Sequence, residues 1–138
     1  MAAPLLLKVV GSVVAMGVLV ACQKALSDAR LRPLATLAGT EWGFEGDDRF
    51  VAFKTGGEVT GSGGCNSFFG SFEQAGRRLT FGPLASTRKA CPPAVMDGER
   101  DFLDLLGRVR AVDATHAVLT LYGEDDTVLA ELRRRDWD

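Results

Sequence analysis

"HAVLTLYGEDDTVLAELR", residues 116–133, decides the fold. Its apolar residues recur at every second position, the period of a half-buried strand rather than a helix. Leu119 and Leu121 face one way, and Val118, Thr120 and Tyr122 face the other. The polar run from Gly123 to Asp126 supplies a turn before a second arm begins. The stretch reads as a β-hairpin.

The same short-strand rhythm fills most of the chain. "LAGTEWGFE" (37–45) alternates at Trp42 and Phe44, and "DRFVAFKTGG" (48–57) is a strand ending at Gly56-Gly57. "EVTGSG" (58–63) is a short strand that runs into a glycine loop. "FFGSFEQAG" (68–76) and "RRLTFGP" (77–83) form a hairpin about Ala75-Gly76, with Phe72, Leu79 and Phe81 alternating with polar residues. One segment breaks the rhythm. In "AVMDGERDFLDLLGRV" (94–109), Phe102, Leu105, Leu106 and Val109 follow helical spacing. Pro92 and Pro93 mark its start and Gly107 weakens its end, so an amphipathic helix is expected over Ala94–Leu106, its charged residues forming the wet face. Seven to eight short strands and one helix predict a mainly β domain, a small barrel-like antiparallel sheet with the helix across an opening.

The N-terminus reads differently. After Lys8 come thirteen uncharged residues, "VVGSVVAMGVLVA" (9–21). A bilayer-spanning helix needs about 20 apolar residues, whereas the apolar region of a secretory signal needs about 7–15. The run ends in "LVAC" (19–22), which resembles a bacterial lipobox. That resemblance implies a signal peptide over 1–21, a lipid (diacylglycerol with a palmitate-type acyl chain) on Cys22, and anchorage in the cell envelope. Gln23 rather than Asp follows, which points to the outer membrane facing the periplasm in a Gram-negative cell. A plain secretory signal or a short anchor helix are the alternatives. Residues 22–36 have no sustained period and read as a tether to a domain over 37–138.

Loss of Lys8 with the signal leaves 15 Lys+Arg (16 minus 1) against 18 Asp+Glu, a net charge of −3. That balance argues against nucleic acid as a partner. The "RRR" of Arg133 to Arg135 is a solvated strand end. Three cysteines leave one over for an exported protein. If lipid takes Cys22, then Cys65 and Cys91 remain as a candidate disulfide in an oxidising compartment. Such a bridge is worth about 3.5 kcal/mol on the chain-entropy model. The alternative is two reduced, buried thiols.

"GSGGCNSFFG" (61–70) looks most like an active site. A nucleophilic Cys65 needs a base and a group to orient it, and the chain has one histidine, His116, at the head of a predicted strand. A phosphate loop needs a lysine and a hydroxyl residue after its glycines, where this stretch has Cys-Asn-Ser-Phe. One histidine and two separated cysteines make no standard zinc site, and the acidic turns "EGDD" and "GEDDT" lack the ligand alternation of a calcium loop. No cofactor is implied. The glycines are expected to permit positive φ and close backbone approach, and Asn66 to bond backbone in the turn.

Three motifs in order carry a family resemblance: G-x-G-G-C-N (Gly61, Gly63, Gly64, Cys65, Asn66), L-A-S-T-R-K-A-C (Leu84 to Cys91, with Thr87) and E-x-x-F-L-D-x-L (Glu99 to Leu106). Together they resemble the META domain, or HslJ-like, family of bacterial lipoproteins and secreted proteins, over about residues 36–133. The resemblance implies a compact, mainly β domain, pairs Cys65 with Cys91, and brings no established enzymatic activity. It carries associations with envelope stress and antibiotic tolerance. Lys89 stands where a methionine is frequent in the family. The expected function is therefore that of a monomeric, non-catalytic envelope lipoprotein, membrane-bound through its anchor and binding another envelope component. The alternative is a small exported binder, either a protease inhibitor or a carrier of an apolar ligand.

Overall fold

A computed structural model of the chain describes residues 36–136. The expected signal peptide, the Cys22 lipid site and the tether up to residue 35 lie outside the described residues.

The elements run β1 (Thr40–Gly43), β2 (Phe50–Phe53), β3 (Glu58–Ser62), β4 (Ser67–Ala75), β5 (Arg78–Phe81), β6 (Ala85–Ser86), helix α1 (Pro93–Arg108), β7 (Ala111–Ala114), β8 (Val118–Tyr122) and β9 (Val128–Arg134). All pairings are antiparallel. The sheet order is β3-β2-β1-β9-β8-β7-β5-β4-β6, and β3 also pairs with β4. That last pairing closes eight strands into a ring and leaves β6 outside it.

The hairpin of residues 116–133 is β8–β9. Leu119 is in register with Leu132, and Leu121 with Ala130. All four face the interior, and Leu119, Leu121 and Leu132 are fully buried. The turn takes Asp125 and Asp126 into left-handed backbone, at φ 56° and 53°. The same alternation carries round the ring, so Trp42, Val51, Phe53, Val59, Phe68, Phe72, Leu79 and Val112 join one core. Phe53 packs edge-on to Phe72, with ring centroids 4.9 Å apart. These side chains fill the interior. Leu37, fully buried, plugs one end: its N–H donates to Gln74 Oε1 and its carbonyl accepts from the Thr40 hydroxyl.

Sequence periodicity gives no sign of two features. The first is β6. Phe72 opposes Phe81, but Phe69 opposes Ala85, so the second arm carries one extra residue between the two pairings. This is a bulge, and past it the arm continues along β4 as β6. The second is the join between β5 and β7. It rests on one register pair, Arg78 with Ala111, and on backbone bonds from Leu79 to Arg110 and from Val112 to Arg77. Helix α1 comes between these strands in the chain.

The helix runs one residue earlier and two later than the spacing predicts, from Pro93 to Arg108. Proline at the first helical position has no N–H to satisfy, which suits it there. Phe102 and Leu106 are buried. The Phe102 ring sits edge-on to Phe44 at 5.6 Å and to Phe68 at 6.1 Å, which welds the helix to the ring. The arginine run is only partly a solvated end. Arg133 is exposed, but Arg134 is half-buried beside the Trp42 ring and paired with Asp136, and Arg135 lies over Phe50. Sequence alone could not place these rings under the strand end.

Phe102→Ala removes a side chain that touches both rings. It is expected to cost about 3–5 kcal/mol, read as a lowered urea midpoint at unchanged slope.

Candidate functional site

The sequence-predicted residues gather at the end of the ring where α1 begins. The loop between β3 and β4 (Gly63–Asn66) meets the segment after β6 (Thr87–Cys91) and the second turn of α1. Cys65 and Cys91 form a disulfide, with Cα atoms 6.1 Å apart. No free thiol is present in the loop.

The centre of the cluster is Glu99, a residue that sequence reasoning places on the wet face of the helix. Asp97, Asp101 and Asp104 are indeed exposed, but Glu99 is only 6% exposed. Its Oε2 accepts from the backbone N–H groups of Asn66 (2.5 Å) and Cys65 (3.2 Å). Its Oε1 accepts from the Asn66 side-chain amide at 2.7 Å. No Lys or Arg forms an ion pair with it among the described residues. Two consecutive N–H groups turned onto one acceptor make a backbone anion nest. The glycine loop is thus an anion cradle after all, and the anion it holds is a carboxylate of its own chain.

The glycines follow from that geometry. A Cβ on Gly63 would lie 2.7 Å from Glu99 Oε2 and 2.8 Å from its Cδ, so any side chain there displaces the carboxylate. Gly64 has φ +108°, which turns the next two N–H groups inward. The Gly63 N–H donates to the Asn66 carbonyl at 2.9 Å and closes the turn. Gly61 faces the interior, where a Cβ would collide with the Phe50 carbonyl and the Phe68 ring.

Asn66, 3% exposed, uses every polar group it has. Besides its bonds to Glu99, its Oδ1 accepts from the Thr87 hydroxyl (2.9 Å) and the Lys89 N–H (2.6 Å). Its amide also donates to the Lys89 carbonyl at 3.4 Å. Thr87 Oγ1 in turn accepts from the Ser67 N–H at 3.2 Å. Lys89 takes part through its backbone alone, so its side chain differs from the familial methionine without cost to the cluster. His116 lies away from these elements in sequence order, in the turn between β7 and β8.

Burial pushes the Glu99 carboxyl up, but the bonds from Asn66 and Cys65 outweigh it and hold the group below its ordinary value. Glu99 is therefore a charged, fully bonded acceptor at neutral pH. An open groove of about 470 Å³ runs beside the loop, lined by Asp47, Asp48, Arg49, Gly63, Gly64 and Val95 among others. Its cation is engaged: Arg49 binds Asp47 at 2.6 Å and covers the Phe44 ring at 4.7 Å.

Fold and cluster together define a class: a small closed β ring whose one helix is latched by a buried carboxylate and a disulfide-clamped loop. The chain belongs to the META domain family, which it matches over residues 30–136. No curated protein matches it in sequence. Among solved structures, it is similar to a protein from Burkholderia xenovorans determined by NMR. The TM-score is 0.60 at 20% identity, over 72% of this chain and 84% of that one. A second protein solved by NMR gives a TM-score of 0.54 at 23% identity, over 70% and 90%. At these identities the likeness is one of fold.

Glu99→Gln replaces an acceptor oxygen with a donor amide that must face N–H groups. A loss of about 1–3 kcal/mol at pH 7 is expected by urea denaturation. The pH dependence has a definite sign. A carboxyl whose pKa is depressed by folding stabilises the fold above its unfolded value, about 4.3, and that contribution fades as pH falls through the lower folded value. The gap between wild type and Glu99→Gln is therefore expected to narrow below about pH 4. A gap constant from pH 7 to pH 3 contradicts the assignment. Asp47, Asp113 and Asp136, each held low chiefly by an arginine hydrogen bond, keep part of the acid limb in both proteins.

Proposed function

We propose that the chain is a non-catalytic lipoprotein of the bacterial cell envelope, a META domain tethered through Cys22 that acts by binding another envelope component. The observation that carries this reading is the self-sufficiency of the motif cluster. Cys65 is bound to Cys91, Asn66 is saturated, and both Glu99 oxygens are occupied by loop donors. The residues with the strongest chemical signature thus bind one another rather than a substrate. A disulfide as structural clamp suits an oxidising compartment, and the uncharged run before "LVAC" supplies the route there.

Of the two small-binder alternatives, the carrier draws least support. A carrier of apolar ligands needs an interior space of a few hundred Å³, whereas the ring is filled by Trp42, Phe53, Phe68, Phe102 and the leucines. The filled core supports recognition on the outer surface.

The test is the full chain expressed in a Gram-negative host, fractionated and examined by mass spectrometry. Lipid on Cys22, membrane recovery of the wild type and release of Cys22→Ser into the soluble periplasmic fraction are expected. An unmodified chain that keeps Met1, found in the cytosol, overturns the reading. Thiol labelling without reductant is expected to leave Cys65 and Cys91 unmodified. Free labelling of Cys65 in native protein contradicts the clamp.

A further inference from the structure

Closing the ring removes sheet edges. The outer edge of β3 is taken by β4, whereas β6, the last strand in the order, presents an open sheet edge. Edges of this kind are templates for another strand unless they are blocked.

This edge is held ready. The Thr87 N–H donates to the Ser67 carbonyl at 3.0 Å, and the Lys89 N–H donates to Asn66 Oδ1. In an extended chain alternate peptide groups point to opposite sides. Ser86 and Arg88 therefore turn their N–H and C=O groups outward. Residues 85–90 are all exposed, yet Asn66, Thr87 and the Cys65–Cys91 bridge fix them from behind. Preorganisation of this sort lowers the ordering cost of binding.

The chemistry beside the edge is equally open. Phe69, in register with Ala85, is 53% exposed and gives an apolar platform on the outer face of β4. Arg88 and Lys89 are exposed and form no ion pair among the described residues. The same two cations disfavour a second copy of this chain, because edge-to-edge pairing would bring basic segments together.

We propose that the β6 edge, residues 84–89, docks an extended acidic segment of a partner protein. The segment adds as a strand through the backbone groups of Ser86 and Arg88. Its carboxylates meet Arg88 and Lys89, and an apolar side chain rests on Phe69. This deepens the binding role proposed above and rests on it.

The probe is a library of random displayed dodecapeptides, panned on the full chain in detergent. Enrichment of peptides rich in Asp or Glu among β-forming residues is expected, and bound peptide should protect the Ser86 and Arg88 amides from hydrogen exchange. Arg88→Glu with Lys89→Glu should weaken binding about tenfold or more. Ser86→Pro removes only an outward N–H, a change that edge strands tolerate. It should weaken binding similarly while near-ultraviolet circular dichroism stays native. Failure to enrich acidic peptides overturns the proposal, as does binding unchanged in both variants. So does Arg88-dependent binding of phosphatidylglycerol vesicles without peptide binding, which assigns the patch to a membrane. None of these outcomes alters the lipidation and fractionation results, so failure of the edge and failure of the envelope reading remain distinct.

Discussion

A carboxylate buried without a cation is the constraint on which the rest of this domain depends. Desolvating such a charge is costly unless hydrogen bonds replace its hydration. Glu99 has its replacement in the turn that precedes β4, where Gly64 rotates two successive N–H groups onto one oxygen. The requirement then propagates. Gly63 must lack a side chain because the carboxylate occupies that space. Asn66 must be an amide because it donates to Glu99 and accepts from Thr87 and Lys89 at once. The helix must sit where Glu99 reaches the turn, and that position brings Phe102 between Phe44 and Phe68.

The disulfide and the Asn66 bonds hold the same segment but act on different states. The bridge between Cys65 and Cys91 restricts the unfolded chain, an effect of about 3.5 kcal/mol on the entropic account. The hydrogen bonds act in the folded protein and set where each backbone group of residues 87–89 points. A bridge alone would tether that segment without orienting it. Its extended, exposed presentation follows from Asn66 and Thr87, and so from the buried carboxylate behind them.

How much of this was legible in the sequence depended on range. Period-2 alternation named the β8–β9 hairpin, its turn and its inward leucines, because each is settled within a few residues. Ring closure, β6 and the short β5–β7 join were not legible, because they depend on which distant strands meet and on one extra residue in a bulge. Glu99 was legible and missed. It stands three residues before Phe102 and seven before Leu106, on the apolar stripe rather than the wet face. A lone acid on such a stripe implies a buried partner, and the glycine loop at 61–64 can provide a nest. That loop lacks the lysine of a phosphate cradle. An internal carboxylate, unlike a phosphate, carries a single charge that two backbone N–H groups and one amide can satisfy.

That substitution of an internal anion for an external one bears on what the domain can do. In many folds a glycine-rich turn at a sheet end is where ligands bind, because its N–H groups are free. Here they are used up, and the interior of the ring is packed with side chains. Closure also takes the outer edge of β3, whereas β6 keeps an open one. The capacity for specific backbone recognition is therefore concentrated in β6 and the residues after it, the segment that the buried cluster holds in place. Motifs resembling an active site and an exposed strand edge are thus two ends of one arrangement: chemistry turned inward fixes the geometry of what is turned outward.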